Sequence, residues 1–270
     1  MGGELIMPDM TDNEISFDKY IDNPMGGAVL SNRNMYINLY TAKFDELMVR
    51  EDGKMQYTVF KDSDDYIIHL KVPSEALPDF YYDVVVRLYT KVSAKKANMN
   101  LRRHAAQFFS NDPAFIYTFA YAFKTKDMFV KDLSSKLPKK TLSTKFNTSE
   151  DRKRNPNHEI SYVKSLFFAY IMMNRQNLFD RNKLDAIAVK YSRSILLRDV
   201  SSFEDKNNER YVKQYEKDNP NKKSTKILKK EPTNRWSSSK GITRTSTVAK
   251  TSVQSKMVNK TKTTRTVKRK

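Results

Sequence analysis

The chain has 270 residues, with 50 Lys and Arg against 31 Asp and Glu, a formal net charge of +19 and no cysteine. Without cysteine there are no disulfides, thiolate nucleophiles or cysteine zinc sites, and with six glycines there is no phosphate-cradling glycine loop. No apolar run approaches the roughly 20 residues of a membrane span, and the acidic N-terminus lacks the basic and apolar stretches of a secretory signal.

Residues 1–34 read as an irregular acidic arm. In its first thirty positions Glu4, Asp9, Asp12, Glu14, Asp18 and Asp22 face a single Lys19, and Met25-Gly26-Gly27 and Ser31-Asn32-Arg33-Asn34 are loop signals. Residues 35–200 read as an α+β domain, β-rich over 35–125 and helical over 126–200. Met35, Ile37 and Leu39 alternate with Tyr36, Asn38 and Tyr40, the two-residue period of a half-buried strand. After a turn at Glu51-Asp52-Gly53-Lys54, the stretch Gln56–Phe60 is expected to return as its hairpin partner. A second polar turn, Asp62-Ser63-Asp64-Asp65, precedes a strand at Tyr66–Val72, and Tyr82–Tyr89 is β-branched and aromatic enough for an interior strand.

Between Phe115 and Phe123 an aromatic falls at every second position. A strand would gather these five rings on one face, where a helix would scatter them. A strand is therefore predicted over 113–123, although Asp112-Pro113 is also a good helix start. Asp127–Leu137 reads as a short helix ended by Pro138, and 139–157 as an exposed polar connection. Ile160, Val163, Phe167, Phe168, Ile171, Met172 and Leu178 then follow helical spacing. Asp180 is placed to cap a second helix bearing Leu184, Ile187, Ala188, Tyr191 and Ile195, which completes a helical hairpin. Residues 201–216 extend as a polar helix.

From about Lys217 the composition predicts a disordered basic tail. Residues 217–270 hold 17 Lys and Arg against Asp218 and Glu231, so the rest of the chain is nearly balanced. Residues 232–270 contain 15 Ser and Thr, 11 Lys and Arg, and no acid. Cations spaced along such a segment suit phosphate backbones, because each neutralised phosphate releases counterions, and hydroxyls add hydrogen bonds to phosphate oxygens. The candidate nucleic-acid-binding residues are Arg235, Trp236, Lys240, Arg244, Lys250, Lys256, Lys260, Lys262, Arg265, Lys268, Arg269 and Lys270. Trp236, the one tryptophan, is suited to stack on a base or dock on protein. The competing readings are a solubilising tail or one that lies on an acidic protein surface. Nothing in the segment suggests base readout, so any nucleic-acid contact is expected to be sequence-tolerant.

Catalytic chemistry is not indicated. His69, His104 and His158 have neither metal-ligand spacing nor a nucleophile signature. His69 lies in a strand pattern and reads as structural. Asp62-Ser63-Asp64-Asp65 lacks the glycine and terminal glutamate of a calcium loop. The aromatic ladder is read as a packed face rather than a stacking platform, since it lacks the glycine and cation of RNA-recognition strands. Arg102-Arg103-His104 with Lys95-Lys96 reads as a basic patch or a solvated loop. No cofactor and no metal are predicted.

Several stretches carry a resemblance: Asp83-Val84-Val85-Val86-Arg87-Leu88-Tyr89, Phe108-Phe109-Ser110-Asn111-Asp112-Pro113-Ala114-Phe115, Lys131–Leu137 and Arg154-Asn155-Pro156. Over about residues 82–178 the chain resembles virion-associated structural proteins of tailed bacteriophages. The resemblance implies a non-enzymatic structural or assembly protein of the head–tail connector region or capsid interior. It would be made in the host cytoplasm, be oligomeric in the assembly, and contact other virion proteins and, through the tail, packaged DNA. The alternative is a non-specific nucleic-acid-binding protein of replication or packaging.

Overall fold

The β-branched and aromatic stretches Tyr66–Val72 and Tyr82–Tyr89 lie side by side in one sheet. In the computed structural model, which describes residues 15–22, 33–89, 100–138, 141–142, 155, 160 and 162–220, four strands run antiparallel in succession. They are β1 (Gln56–Asp62), β2 (Asp65–Pro73), β3 (Tyr81–Tyr89) and β4 (Ala105–Ser110). Thr58 faces His69, His69 faces Val85, and Val85 faces Phe109 across the sheet. β1 and β2 join through the two-residue turn Ser63-Asp64, with Ser63 in the left-handed region at φ 56°. A two-residue strand, β5 (Val189–Lys190), adds parallel to the outer edge of β1. The fold is thus the expected α+β class, with helices following the sheet.

Neighbouring residues of a strand point to opposite faces, so Phe108 and Phe109 enter different layers. Phe108 meets Phe17 at 4.8 Å, Tyr20 at 5.2 Å and Phe123 at 5.7 Å between ring centroids. Its layer holds α1 (Phe17–Asp22), α2 (Arg33–Arg50), α3 (Ala120–Thr125) and α4 (Lys164–Arg175). Tyr40 and Phe44 of α2 pack on Phe167 and Phe168 of α4, at 5.1 and 5.6 Å. On the opposite face Phe109 meets Phe129 at 6.2 Å, beside the 3₁₀ turn Lys131–Lys136. One hydrophobic cluster runs from Ile15 to Phe203.

Four sequence expectations need correction. Residues 35–40 are helix, not strand. Ile37, Tyr40, Phe44, Leu47 and Met48 hold a three- and four-residue spacing over a far longer window than the brief alternation at Met35–Tyr40. β1 therefore takes β2 as its hairpin partner. Residues 113–123 are also helical: a π-helical turn at Phe115–Phe119 runs into α3. A ring at every second position is also two interleaved i, i+4 series, so Phe115, Phe119 and Phe123 share one side and Tyr117 and Tyr121 the other. Asp112 starts the helix, its Oδ1 accepting from the Ala114 N–H at 3.0 Å.

The acidic arm is not irregular throughout, because Ile15–Asp22 is part of the core. Phe17 and Tyr20 have no solvent exposure, and the Ile15 carbonyl accepts from the Ala106 N–H at 2.8 Å. Finally, the second helix of the expected hairpin stops early. Asp180 caps α5 (Arg181–Ile187) as expected, accepting from the Asn182 N–H, but Val189 and Lys190 leave the helix to pair with Phe60 and Lys61. α6 (Arg193–Asp199) follows, and the polar helix α7 (Phe203–Asp218) lies where the sequence put it.

The burial of α1 yields a measurable expectation. Phe17→Ala should lower unfolding stability by about 3–5 kcal/mol in urea titration, as for a core aromatic. An irregular exposed arm would show almost no change.

Candidate functional site

The residues singled out for nucleic-acid binding, Arg235 to Lys270, fall outside the described residues, as do Lys95, Lys96 and His158. The predicted disordered tail lies there too from residue 221, whereas Lys217 and Asp218, where it was expected to begin, still belong to α7. The other sequence candidates can be placed. Arg102 is engaged by its own fold, while the patch expected with Lys95 and Lys96 falls partly outside the described residues. The Arg102 guanidinium stacks 4.6 Å above the Phe179 ring, donates to the Tyr170 hydroxyl at 3.3 Å and lies 3.6 Å from Asp18. His104 is buried. Of the aromatic ladder, Phe115 and Phe123 are fully buried and Tyr117 packs edge-on to Phe203 at 5.3 Å, so these rings form core rather than a platform. The Asp62–Asp65 loop faces Arg87, which donates to Asp65 Oδ2 at 2.7 and 3.1 Å. Among the described residues no group of three or more His, Asp or Glu is arranged to hold a metal ion.

The concentration of polar chemistry that the structure reveals is centred on Asp83. Lys71 is its register partner, and His69 lies one diagonal step away on the same face of β2. The Asp83 side chain is wholly buried, yet four donors reach it. His69 Nε2 lies 2.7 Å from Oδ1, and the Lys71 ammonium donates to the same oxygen. Asn111 Nδ2 and the Ser201 N–H each donate to Oδ2 at 3.0 Å. The Asp83 N–H in turn donates to Asn111 Oδ1 at 2.8 Å. A carboxylate only accepts, so His69 must carry its proton on Nε2. Burial alone would raise the Asp83 pKa, but the His69 hydrogen bond and charge, joined by Lys71, outweigh it and hold the carboxyl far below the usual range.

His69 and Lys71, with Gln56, Thr58, Ile187 and Asp199, line a cleft of about 780 Å³. The cleft exists because β5 covers only Phe60 and Lys61 of β1, leaving the Gln56–Val59 end of that strand at the margin of the sheet. His69 was legible as a structural histidine. Asp83 and Lys71 were not singled out, although an acid inside the run Tyr82-Asp83-Val84-Val85-Val86 was itself a signal, since a charge within a buried strand requires partners.

Set against protein families, curated proteins and solved structures, the chain matches none.

Asp83→Asn keeps the shape and removes the charge from this cluster. It should cost about 3–5 kcal/mol at neutral pH, the range for breaking a buried pair. Because the folded carboxyl titrates below its unfolded value of about 4, the unfolded chain binds more protons between the two. The contribution of Asp83 is therefore complete above that unfolded value and is lost as pH falls through the folded one. Urea unfolding at neutral and acid pH should show the unsubstituted protein losing more stability across that interval than the variant.

Proposed function

We propose that this protein is a non-enzymatic structural or assembly component of a tailed-phage virion whose C-terminal segment binds DNA phosphates. One observation carries the reading, the segregation of charge. Residues 217–270 hold 17 of the 50 Lys and Arg and two of the 31 acids. A balanced folded part gives little long-range attraction for a polyanion, whereas a run of cations without acids gives a strong, sequence-independent one.

The polar cluster at Asp83 supports the non-enzymatic part of the reading, because its hydrogen bonds are accounted for by holding chain segments together. The assembly role, in the connector region or capsid interior and among other virion proteins, rests on the resemblance over residues 82–178. A second reading, a non-specific nucleic-acid-binding protein acting in replication or packaging, is favoured by Arg235-Trp236, an aromatic beside a cation of the kind that stacks on unpaired bases.

Titration of the full chain against duplex DNA at several salt concentrations tests the proposal. If about ten cations contact phosphates, affinity should fall by about 10³- to 10⁵-fold between about 50 and 200 mM salt. A full-length variant with the eleven cations from Arg235 to Lys270 replaced by Gln should lose most of that affinity and of the slope. Equal binding by both proteins would refute the assignment to the C-terminal segment. Stronger binding to single strands, with quenching of Trp236 fluorescence, would favour the second reading, and sedimentation with intact particles the first.

A further inference from the structure

The Asp83 network occupies one ring nitrogen of His69 and leaves the other. His69 is only 4% exposed and its Nε2 is held by Asp83, yet among the described residues nothing is hydrogen-bonded to Nδ1. Leaving a largely buried polar nitrogen without a partner is costly, and this one belongs to a residue that lines the cleft of about 780 Å³. Lys71 lines the same cleft. Asp83 is the one hydrogen-bond partner of its ammonium among the described residues, and an ammonium has three N–H groups to give. Both side chains touch the same Asp83 oxygen, which holds imidazole and ammonium side by side.

The strand register extends this arrangement onto β1. Thr58 stands opposite His69 and Gln56 opposite Lys71, so the four side chains share one face of the sheet, and all four line the cleft. Each of them can donate a hydrogen bond, and none is an acid. The acid in the lining, Asp199, is already paired with Arg198 at 2.9 Å. Met55 and the exposed Ile187 add apolar surface to the same lining. The volume falls within the roughly 300–1,000 Å³ of small-molecule sites and far exceeds what a bare ion fills.

We infer that this cleft binds a small organic molecule by its carboxylate, which accepts from the Lys71 ammonium and from Nδ1–H of a protonated His69. Thr58 and Gln56 supply further donors, and Ile187 and Met55 contact the apolar body. Charge selects the head group. The charged groups that face His69 are Asp83 of β3 and Lys71 of β2, α6 adds the neutral Asp199–Arg198 pair, and Gln56 and Thr58 of β1 carry none. With His69 neutral the set has no net charge, and with His69 protonated it has one positive charge. A monoanion balances that charge, whereas a phosphate monoester, at about −1.5 to −2, exceeds it. Binding is therefore coupled to uptake of a proton at Nδ1. The inference goes beyond the proposed function, involves no reaction and is tested without nucleic acid, so either reading can fail alone.

The chain has three histidines, which makes side-chain ¹H–¹⁵N spectra of the full protein a direct readout. Benzoate serves as the probe and benzamide as its neutral counterpart of the same shape. Benzoate should move the His69 signals, with Nδ1 shifting toward its protonated position, and should saturate on the order of 1 mM, a modest efficiency for about nine non-hydrogen atoms. His104 and His158 should stay in place, and benzamide should move none of the three. Affinity should fall about tenfold from about pH 5.5 to about pH 8.5, on either side of the ordinary imidazole value near 6.5. Asp83 stays ionised throughout, because its carboxyl titrates far below that interval. Lys71→Gln should weaken benzoate about tenfold. Asp199→Asn leaves the Asp83 contacts intact and removes a negative charge from the lining, so it should tighten binding about threefold, as for a charge several ångströms away in wet surroundings. The inference is overturned if His69 does not respond by about 20 mM benzoate, well above the expected constant. An equal response to benzamide, an affinity that ignores pH, or D199N binding no tighter than the unsubstituted chain would overturn it as well.

Discussion

A carboxylate removed from water inside a sheet persists only while donors replace the solvent it has lost. Asp83 meets that condition with four donors from three separate parts of the chain: His69 and Lys71 of β2, Asn111 just after β4, and the Ser201 N–H just before α7. Each donor depends on the others being present, because a half-satisfied buried network is worse than none. The register of β2 against β3 is therefore tied to the path of the chain after β4 and to the entry of α7. A shift of one residue in β3 would turn Asp83 to the opposite face and replace it with a valine or tyrosine. The segment around 200 would then lose its anchor, although it lies 118 positions away in sequence.

The parts of this fold that were legible in the sequence are those governed by local rules. β2 and β3 are dense in β-branched and aromatic residues, the Asp62–Asp65 turn is polar and tight, and Asp180 sits where a capping residue belongs. Where the reading failed, a short pattern was compatible with two periods. Alternating aromatics from Phe115 to Phe123 satisfy a strand, yet they also satisfy two i, i+4 rows of a helix, and only packing against Tyr20, Phe108 and Phe203 decides between them. The inserted π turn is another tertiary effect: the Thr118 carbonyl accepts from Asn155 Nδ2 at 3.0 Å, a partner 37 residues on. Ile15, Phe17 and Tyr20 were hidden differently. Surrounding acids masked them, although Phe17, Tyr20 and the next residue, Ile21, hold the three- and four-residue spacing of one helical face.

The candidate sites divide along the same line. Composition alone exposed the basic C-terminal segment, because a bias spread over fifty residues needs no fold to be seen. The Asp83 cluster was invisible as a cluster, since its members are spread from position 69 to 201 and only the strand register brings them together. Two polar features of very different physical character therefore coexist. One is a small network around a buried carboxylate that fixes the chain, and the other is a long run of like charges suited to a partner of opposite sign.

α7 shows where the first use of charge gives way to the second. Its cations are directed at the domain: Lys206 is buried with its ammonium 5.0 Å from the Phe80 ring, Lys213 donates to the Asp79 carbonyl, and Lys217 donates to the Ala76 carbonyl at 3.1 Å. All three act on the β2–β3 connection or residues beside it, the same end of the sheet that Asp83 and Ser201 secure. Lys43 and Lys164 likewise converge on Glu75 in that connection. These described cations are thus drawn to carbonyls, rings and acids of their own fold, and residues 1–216 are nearly balanced in formal charge. After Asp218 a single acid, Glu231, remains in the chain. A cation without an acid nearby in sequence retains its long-range field, which is what a distant phosphate backbone senses first. The end of α7 is thus an electrostatic boundary along the sequence, and it lies beside the anchored end of the sheet.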